Sequence, residues 1–396
     1  MTYLLKNARL LDAYYNQEPI DVLVEDQHIR AVGTNLPAAD QEIDLTGYTL
    51  LPGFIDAHVH VAIYDDAFRS ESVTAWAYNG VTTVRELGML SVLPQADYAK
   101  WIRQNNENPK TAKVIATGKY IDVAGGYGAG PNPNRPVGNL ITTVDQAENA
   151  VKEAYNLGFP GIKIGIHDDR MDTAPHLSQE MAAAICRQAA SHGMWVAAHI
   201  GNCKGAQFML NTGVRELAHT PGDPMPQELI AYMVSHGVVM DTTVGDPNKK
   251  MAPPPPDVEM GPPPDMGKSF DPSQMEEERR ERRQIMIDNL RRYYQAGGKI
   301  VLGTDLIHSQ DFSKDAAIPI AELRALIQAG LSLQEAIQAG TISAAEVVGT
   351  GSEEGRIAEG FLANLVAVPG KVDTSFEALT HVKLVMHNGI IIRNEL

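Results

Sequence analysis

The feature that most restricts how this chain can fold is a rhythm in its middle. Short apolar runs at 54–60, 81–86, 113–117, 161–166, 194–200, 214–219, 237–243 and 299–305 alternate with amphipathic stretches such as LSQEMAAAICRQAASHG and QELIAYMVSHG. The runs read as strands and the stretches between them as helices. Strand–helix–strand repetition of this kind implies an α/β fold with a parallel sheet. Eight such units over about 250 residues match a (β/α)8 barrel of the TIM type. A doubly wound open sheet is the alternative.

The two ends read differently. YLLKNARLLD, PIDVLVEDQHIRAVG and EIDLTGYTLLPG near the start alternate polar and apolar residues, as do EGRIAEGFLANLVAVPG and HVKLVMHNGIIIRNEL near the finish. Neither end has enough strands for a stable sheet alone. Residues 1–52 and 358–396 are therefore expected to build one small β-sandwich domain together, beside a barrel over 53–357. Two further segments interrupt the middle. VAGGYGAGPNPNRPVGN (123–139) reads as a loop, and the Pro-rich insertion 246–274 is expected to hold no regular structure, because proline removes a donor and fixes φ. Both follow strands and so fall at the C-terminal face, where a lid and a solvated insertion are both open readings.

Charge narrows the partners. Lys plus Arg number 33 against 49 Asp plus Glu, a net charge of −16, which argues against a nucleic acid or an anionic membrane surface. No apolar run reaches membrane-spanning length. The start, MTYLLKNARLLDAYYN, lacks the apolar core of a signal peptide. Two cysteines, Cys186 and Cys203, make no disulfide framework. A cytoplasmic setting and a small-molecule substrate are expected, with homo-oligomer formation left open.

The chemistry lies in polar residues that close the apolar runs. GFIDAHVH (53–60) places Asp56, His58 and His60 at alternate positions, so that on a strand all three face one side. Later runs end in His199, His219 and Asp305, and the fourth contains Lys163. In a barrel these would converge at the C-terminal mouth. A single histidine at a strand end is usually a structural residue, but four with an aspartate suit zinc, iron or manganese. Lys163 is the odd member. As an ammonium it is repelled by cations and reads as a salt-bridged lysine; carboxylated by carbon dioxide, it becomes a carbamate that can bridge two metals.

With these residues the chain resembles the amidohydrolase superfamily. GFIDAHVH is similar to its strand-one signature, GVTTVRELG (80–88) and GRIAEGFLANLVAV (355–368) also resemble it, and the likeness spans nearly the whole chain. Within the superfamily it is most similar to the Xaa-Pro dipeptidase, carboxypeptidase and ochratoxinase-like group. The resemblance implies two divalent metal ions, with zinc expected. His58 and His60 would hold one with Asp305, His199 and His219 the other, and carboxylated Lys163 would bridge. It implies hydrolysis of an amide-type bond, with Asp305 as general base and acid. Asp56, two positions before the first ligand, is expected either to support a ligand from behind or to be structural. Arg85 and Glu86, at the end of the second run, receive no catalytic role.

Two positions depart from the resemblance. Tyr127 in AGGYG stands where relatives place a histidine, and Gly201 replaces a polar residue two positions after His199. Both point to weaker selection for a terminal carboxylate and a more neutral substrate. Tyr127, His167 and His308 are the expected substrate contacts. The alternatives are an esterase or lactonase on the same centre, an aminohydrolase acting on a cyclic amidine or nucleobase, and a barrel without enzymatic activity. The last two are disfavoured by Lys163 and by the complete ligand set.

Overall fold

Period-two alternation at both ends sorts into a single sheet in the computed structural model, which describes residues 1–12, 14, 16–63, 66–130, 136–167, 171–245, 272–306 and 315–396. The first strands are β1 (Thr2–Leu11), β2 (Asn16–Glu25), β3 (His28–Gly33), β4 (Gln41–Asp44) and β5 (Tyr48–Pro52). The apolar runs of the middle follow as β6 (Phe54–Val59), β7 (Val81–Glu86) and β8 (Lys113–Ala116), which pair in parallel. Two short strands, β9 (Ile121–Asp122) and β10 (Asn139–Leu140), pair beside them. Then come β11 (Gly161–Gly165), β12 (Trp195–His199), β13 (Glu216–Leu217), β14 (Val239–Asp241) and β15 (Lys299–Val301), a parallel set of five.

Backbone bridges link the three-stranded and five-stranded parallel sets at both sides. Thr117 bridges Gly161 in parallel, and Val59 bridges Leu306. Ala57 N donates to Leu302 O at 3.0 Å and His60 N to Leu306 O at 2.9 Å, so the chain after β15 runs back along β6. Helices fill the connections, including Asp66–Tyr78, Gln95–Asn106, Val144–Asn156, Gln179–Ser191, Cys203–Leu210, Gln227–Ser235 and Pro272–Gln295. Several start on side-chain caps: Thr143 accepts from Gln146 N, Ser178 from Met181 N and Asn202 from Gly205 N. No helix among the described residues is long and apolar enough to cross a membrane.

The last strands, β16 (Leu365–Pro369), β17 (Leu384–His387) and β18 (Ile390–Asn394), return to the first ones. Antiparallel pairing of β16 with β5, from Leu365 opposite Pro52 to Pro369 opposite Tyr48, joins the two ends into an eight-stranded sheet. Alternation then divides its side chains between two cores. Leu50, Leu365, Ala367, Leu384 and Met386 pack with Leu5, Val22 and Ile29 in a core of their own. Leu51, Val366, Val368 and Val385 point the other way, into the main core around Trp76 and Phe54.

Three expectations need correction. The later strands are shorter than the runs suggest, β13 covering only Glu216–Leu217, because side chains share the carbonyls beyond them. His58 takes Ala218 O, Thr220 Oγ1 takes Asp241 O, and Thr242 Oγ1 takes Gly303 O. The 123–139 loop contains a 3-10 turn at Tyr127–Ala129, and Asn139 enters β10. Residues 272–274 are helical, since proline at the first helical position loses no bond. The remainder of the Pro-rich insertion, 246–271, lies outside the described residues, as does His308.

Candidate metal centre

β6 is buried at every position, so each polar group on it must find a partner inside. Asp56 accepts from His58 N at 3.2 Å, Thr304 N at 3.1 Å and Thr304 Oγ1 at 2.7 Å. It staples the end of β6 to the turn that carries Asp305, the structural one of the two roles expected of it. Burial pushes its carboxyl up to about 7 against those hydrogen bonds.

The imidazoles are held by one edge. His58 Nδ1 lies 2.9 Å from Ala218 O, His60 Nδ1 lies 3.0 Å from Glu86 Oε1, and His219 Nδ1 lies 3.0 Å from Thr243 Oγ1. With Nδ1 donating, each ring turns its Nε2 lone pair away from that partner, the arrangement that metal-ligating histidines use. The Nε2 atoms of His58 and His60 both face Asp305 Oδ1, at 3.4 and 3.2 Å. Among the described residues, His58, His60 and Asp305 form the group of ligand atoms lying within 4.8 Å of one another. Asp305 reaches this place from a left-handed backbone (φ 54°), a conformation aspartate tolerates better than most residues, with its N–H on His58 O at 2.8 Å.

The other expected ligands stand alongside. His219 is 5.0 Å from His58, ring to ring, and His199, at the end of β12, is 4.4 Å from His219. Lys163 is 1 % exposed in the middle of β11. It lies against Gly88, where an added Cβ would come within 2.9 Å of its Cγ.

The donor set fits divalent cations. His58 Nε2 and Lys163 Nζ are buried without a hydrogen-bond partner, which a closed structural network would not leave. Burial, with Lys163 beside it, holds His58 well below its ordinary range, so its imidazole is neutral and able to ligate. Burial lowers His60 too, but Asp305 and Glu86 on either side carry it up to about 9, a pair of carboxylates gathered around one positive charge. Burial drives the Lys163 amine down to about 8, against the pull of Asp241, Asp305 and Glu216. Burial works to raise Asp305, yet His58, His60 and His219 hold it well below the usual carboxylate range.

Several residues here escaped the sequence reading. Glu86 orients His60 and also accepts from Val61 N, from Ala62 N at 2.6 Å and from Tyr98 at 3.3 Å. Arg85 pairs with neither Glu86 nor solvent; its guanidinium forks onto Glu216, donates to Ala57 O at 2.6 Å and stacks over Trp195 at 4.7 Å. Asp241 is fully buried 3.5 Å from His58 Nδ1. An acid closing an apolar strand was the one mark that Glu86 and Asp241 left in the sequence, and it does not say what the acid meets.

A cavity of about 420 Å³ opens over these groups, lined by Tyr127, His199, His219, Thr243, Asp305 and the arginines 279, 280, 282 and 283. Tyr127 stacks on His199 with centroids 3.7 Å apart, and His167 meets the Tyr127 ring edge-on at 5.7 Å. The glycines around Tyr127 have a steric reason. A Cβ at Gly126 would sit 2.4 Å from Asp122 Oδ1, and one at Gly128 would sit 2.1 Å from the Tyr120 ring.

Comparison with known proteins follows this geometry. The amidohydrolase family model matches residues 49–392. A dihydroorotase of Lactobacillus helveticus (strain DPC 4571) is 33% identical over 117 residues, 28% of this chain and 26% of that protein. The matches thus span about a quarter of that relative's length. The fold resembles that of a Xaa-Pro dipeptidase solved with bound methionine (TM-score 0.76, 22% identity, 99% of each chain). It also resembles the ochratoxinase of A. niger (TM-score 0.77, 18% identity, 99% of this chain and 96% of that one).

Proposed function

The chain belongs to the amidohydrolase family, and from that premise we propose that it is a metal-dependent hydrolase cleaving an amide-type C–N bond in an N-acyl amino acid, a dipeptide or a related amide or carbamate. One observation carries the reading. Three imidazoles are each anchored through Nδ1, and the Nε2 atoms of two of them meet at Asp305. We assign His58 and His60 with Asp305 to one divalent ion, His199 and His219 to a second, and Lys163, as a carbamate, to the bridge. Nitrogen and oxygen donors without thiolates suit zinc in a catalytic site. When bound, such ions polarise the scissile carbonyl and bring the pKa of water to about 7.

The chain's own groups supply the rest. The neutral Lys163 amine adds to carbon dioxide; an N–C bond forms, one proton leaves, and two oxygens are gained. Asp305 takes a proton from the attacking water at its carboxylate and returns it to the leaving nitrogen. Glu86 and Thr243 keep His60 and His219 in the required tautomer. Tyr127 and His167 form the wall on which the substrate rests. In this reading the ring of parallel strands is a (β/α)8 barrel over 53–357, and the terminal sheet is the β-sandwich domain of 1–52 and 358–396.

The test is a panel of N-acyl amino acids, dipeptides, carbamates, lactones and cyclic amidines, offered to protein loaded with zinc in bicarbonate, with metal counted per chain. Cleavage of an amide or carbamate with two ions bound is expected. Ammonia release from a cyclic amidine by a one-ion protein that leaves every amide intact would sink the reading.

A further inference from the structure

We infer that Glu322 is a positioning residue for His219: its carboxylate holds Thr243 in the backbone conformation that puts the threonine hydroxyl on the imidazole. The inference rests on the reading above, in which His219 holds a metal ion, and adds to it a residue on a helix remote from the ligands in sequence.

Thr243 follows β14 with a φ of 41°, in the left-handed region that β-branched residues avoid. Gly245, two residues on, has a φ of 74° and meets no such penalty. A glycine at 243 would remove the strain. It would also remove the hydroxyl that stands 3.0 Å from His219 Nδ1. Backbone strain of this kind persists only where the surroundings over-determine it, and it gathers at functional sites.

Glu322 supplies the constraint. It is 2 % exposed and lies in the first turn of the helix Ile320–Gln328. Val244 N donates to its Oε2 at 3.1 Å and Gly245 N to its Oε1 at 2.6 Å. One carboxylate thus takes both N–H groups that directly follow Thr243. Arg283 Nε donates to Gly245 O at 3.3 Å, so the same residue is gripped at its carbonyl too. On the other side, Thr242 N donates to Val301 O and Thr243 N to Gly303 O, each at 3.0 Å. Thr243 is therefore fixed by the strand ladder before it and by Glu322 after it. Burial raises the Glu322 carboxyl above its ordinary value, while the side chain of Thr242, the two N–H groups and Arg283 work against that rise. The N-terminal end of a helix also favours negative charge. From Glu322 to the imidazole the path is one backbone turn and one hydroxyl. A shift of the turn takes the hydroxyl off Nδ1, and the ring is then free to carry its Nε2 out of position.

The experiment is a double-mutant cycle of E322Q and T243V in the full chain, read as zinc affinity by competition with a chelator, with circular dichroism checking the fold and hydrolysis followed separately. E322Q keeps the size of the side chain but offers one acceptor oxygen to two N–H groups, so it should loosen zinc about tenfold. Because Glu322 acts through Thr243, E322Q made in the T243V chain should cost less than about twofold more, where two independent tenfold losses would multiply to about a hundredfold. Losses that multiply, or an unchanged zinc affinity in E322Q, would overturn the inference. Hydrogen exchange over residues 240–245 of the native chain needs no variant to fold. Those amides should be equally slow with zinc bound and with zinc removed, since the turn is set before the metal arrives. Protection that appears only with zinc would overturn the inference as well. A coupled loss of zinc affinity without hydrolysis of any amide would leave the inference standing and remove the hydrolase reading; hydrolysis with losses that multiply would do the reverse.

Discussion

Four strands, β12 to β15, carry a cavity at each end. At their N-terminal ends Trp195, Glu216, Val239 and Lys299 border about 660 Å³, walled mainly by Ala190, Met194, Val196, Ile300, Leu331 and Val347. At their C-terminal ends His199, His219, Thr243 and Asp305 border about 420 Å³. The larger cavity is the chemically poorer one. Its wall holds no histidine among the described residues, and of its charged groups (Arg215, Glu216, Lys299, Glu335, Glu346) Glu216 is already paired with Arg85. The smaller one gathers two imidazoles, one of them anchored by Thr243, an aspartate in a left-handed backbone and four arginines. Volume, then, does not mark a site; converging polar groups whose orientation is already fixed do. In α/β folds with parallel strands, ligands and chemistry gather at the C-terminal ends of the strands.

The largest effect should come from Lys163, whose buried amine lies among the groups of the C-terminal end. Lys163→Ala is expected to lose at least one bound ion and all measurable hydrolysis. Metal uptake by the native chain should need bicarbonate and should quicken as pH rises through about 8. Below that value the amine is protonated and cannot add to carbon dioxide; above it, the neutral form dominates. Full metal and activity in the alanine variant would break the contrast between the two ends at its chemical centre.

Asp305→Asn comes next. It keeps size and hydrogen-bonding capacity but removes the proton carrier, so kcat should fall by about 10²–10⁴-fold. A loss of less than tenfold, read by initial rates at saturating substrate, would move the proton transfer to another group. Glu86→Gln is smaller again. The amide still reaches His60 Nδ1 but no longer fixes which nitrogen holds the proton, and metal affinity should drop about 10–100-fold. Competition with a chelator measures it.

These predictions also separate what the sequence disclosed from what it withheld. β6, β7, β11 and β12 were legible because apolar runs buried on both faces have few other fates, and the histidines closing them stood out against Val, Ile and Ala. Glu86 was not, because one acid at a strand end looks the same whether it orients an imidazole or meets water. Asp241 is invisible for a similar reason. Its environment, with His58 and Arg85 on separate strands at 3.5 and 3.6 Å, exists only once those strands have packed together. The four arginines were hidden by context. EERRERR (277–283) follows a Pro-rich stretch, and nothing local says that its arginines line the cavity with His199 and His219. The joining of the two chain ends followed from strand arithmetic, but the division of β16 and β17 between two cores needed the partner strands.

The smallest expected effect is the sharpest test of the contrast, since it removes one hydroxyl from each end. Thr243 Oγ1 sits 3.0 Å from His219 Nδ1 at the C-terminal cavity, whereas Ser343 lines the N-terminal one. Thr243→Val keeps the branched shape, yet it strips a part-buried imidazole nitrogen of its partner, at a cost below the about 1–3 kcal/mol of a fully buried group. Part of that cost should appear as looser metal binding, about tenfold by chelator competition, because His219 is then free to rotate out of position. Ser343→Ala leaves every group named at the C-terminal end untouched. Thermal unfolding should register a change within about 0.5 kcal/mol, and kcat/KM should stay within twofold of the native chain. If the two variants behaved alike, with both neutral or both impaired, the difference between the ends would not lie in fixed polar groups, and the larger cavity would have to be considered as a site in its own right.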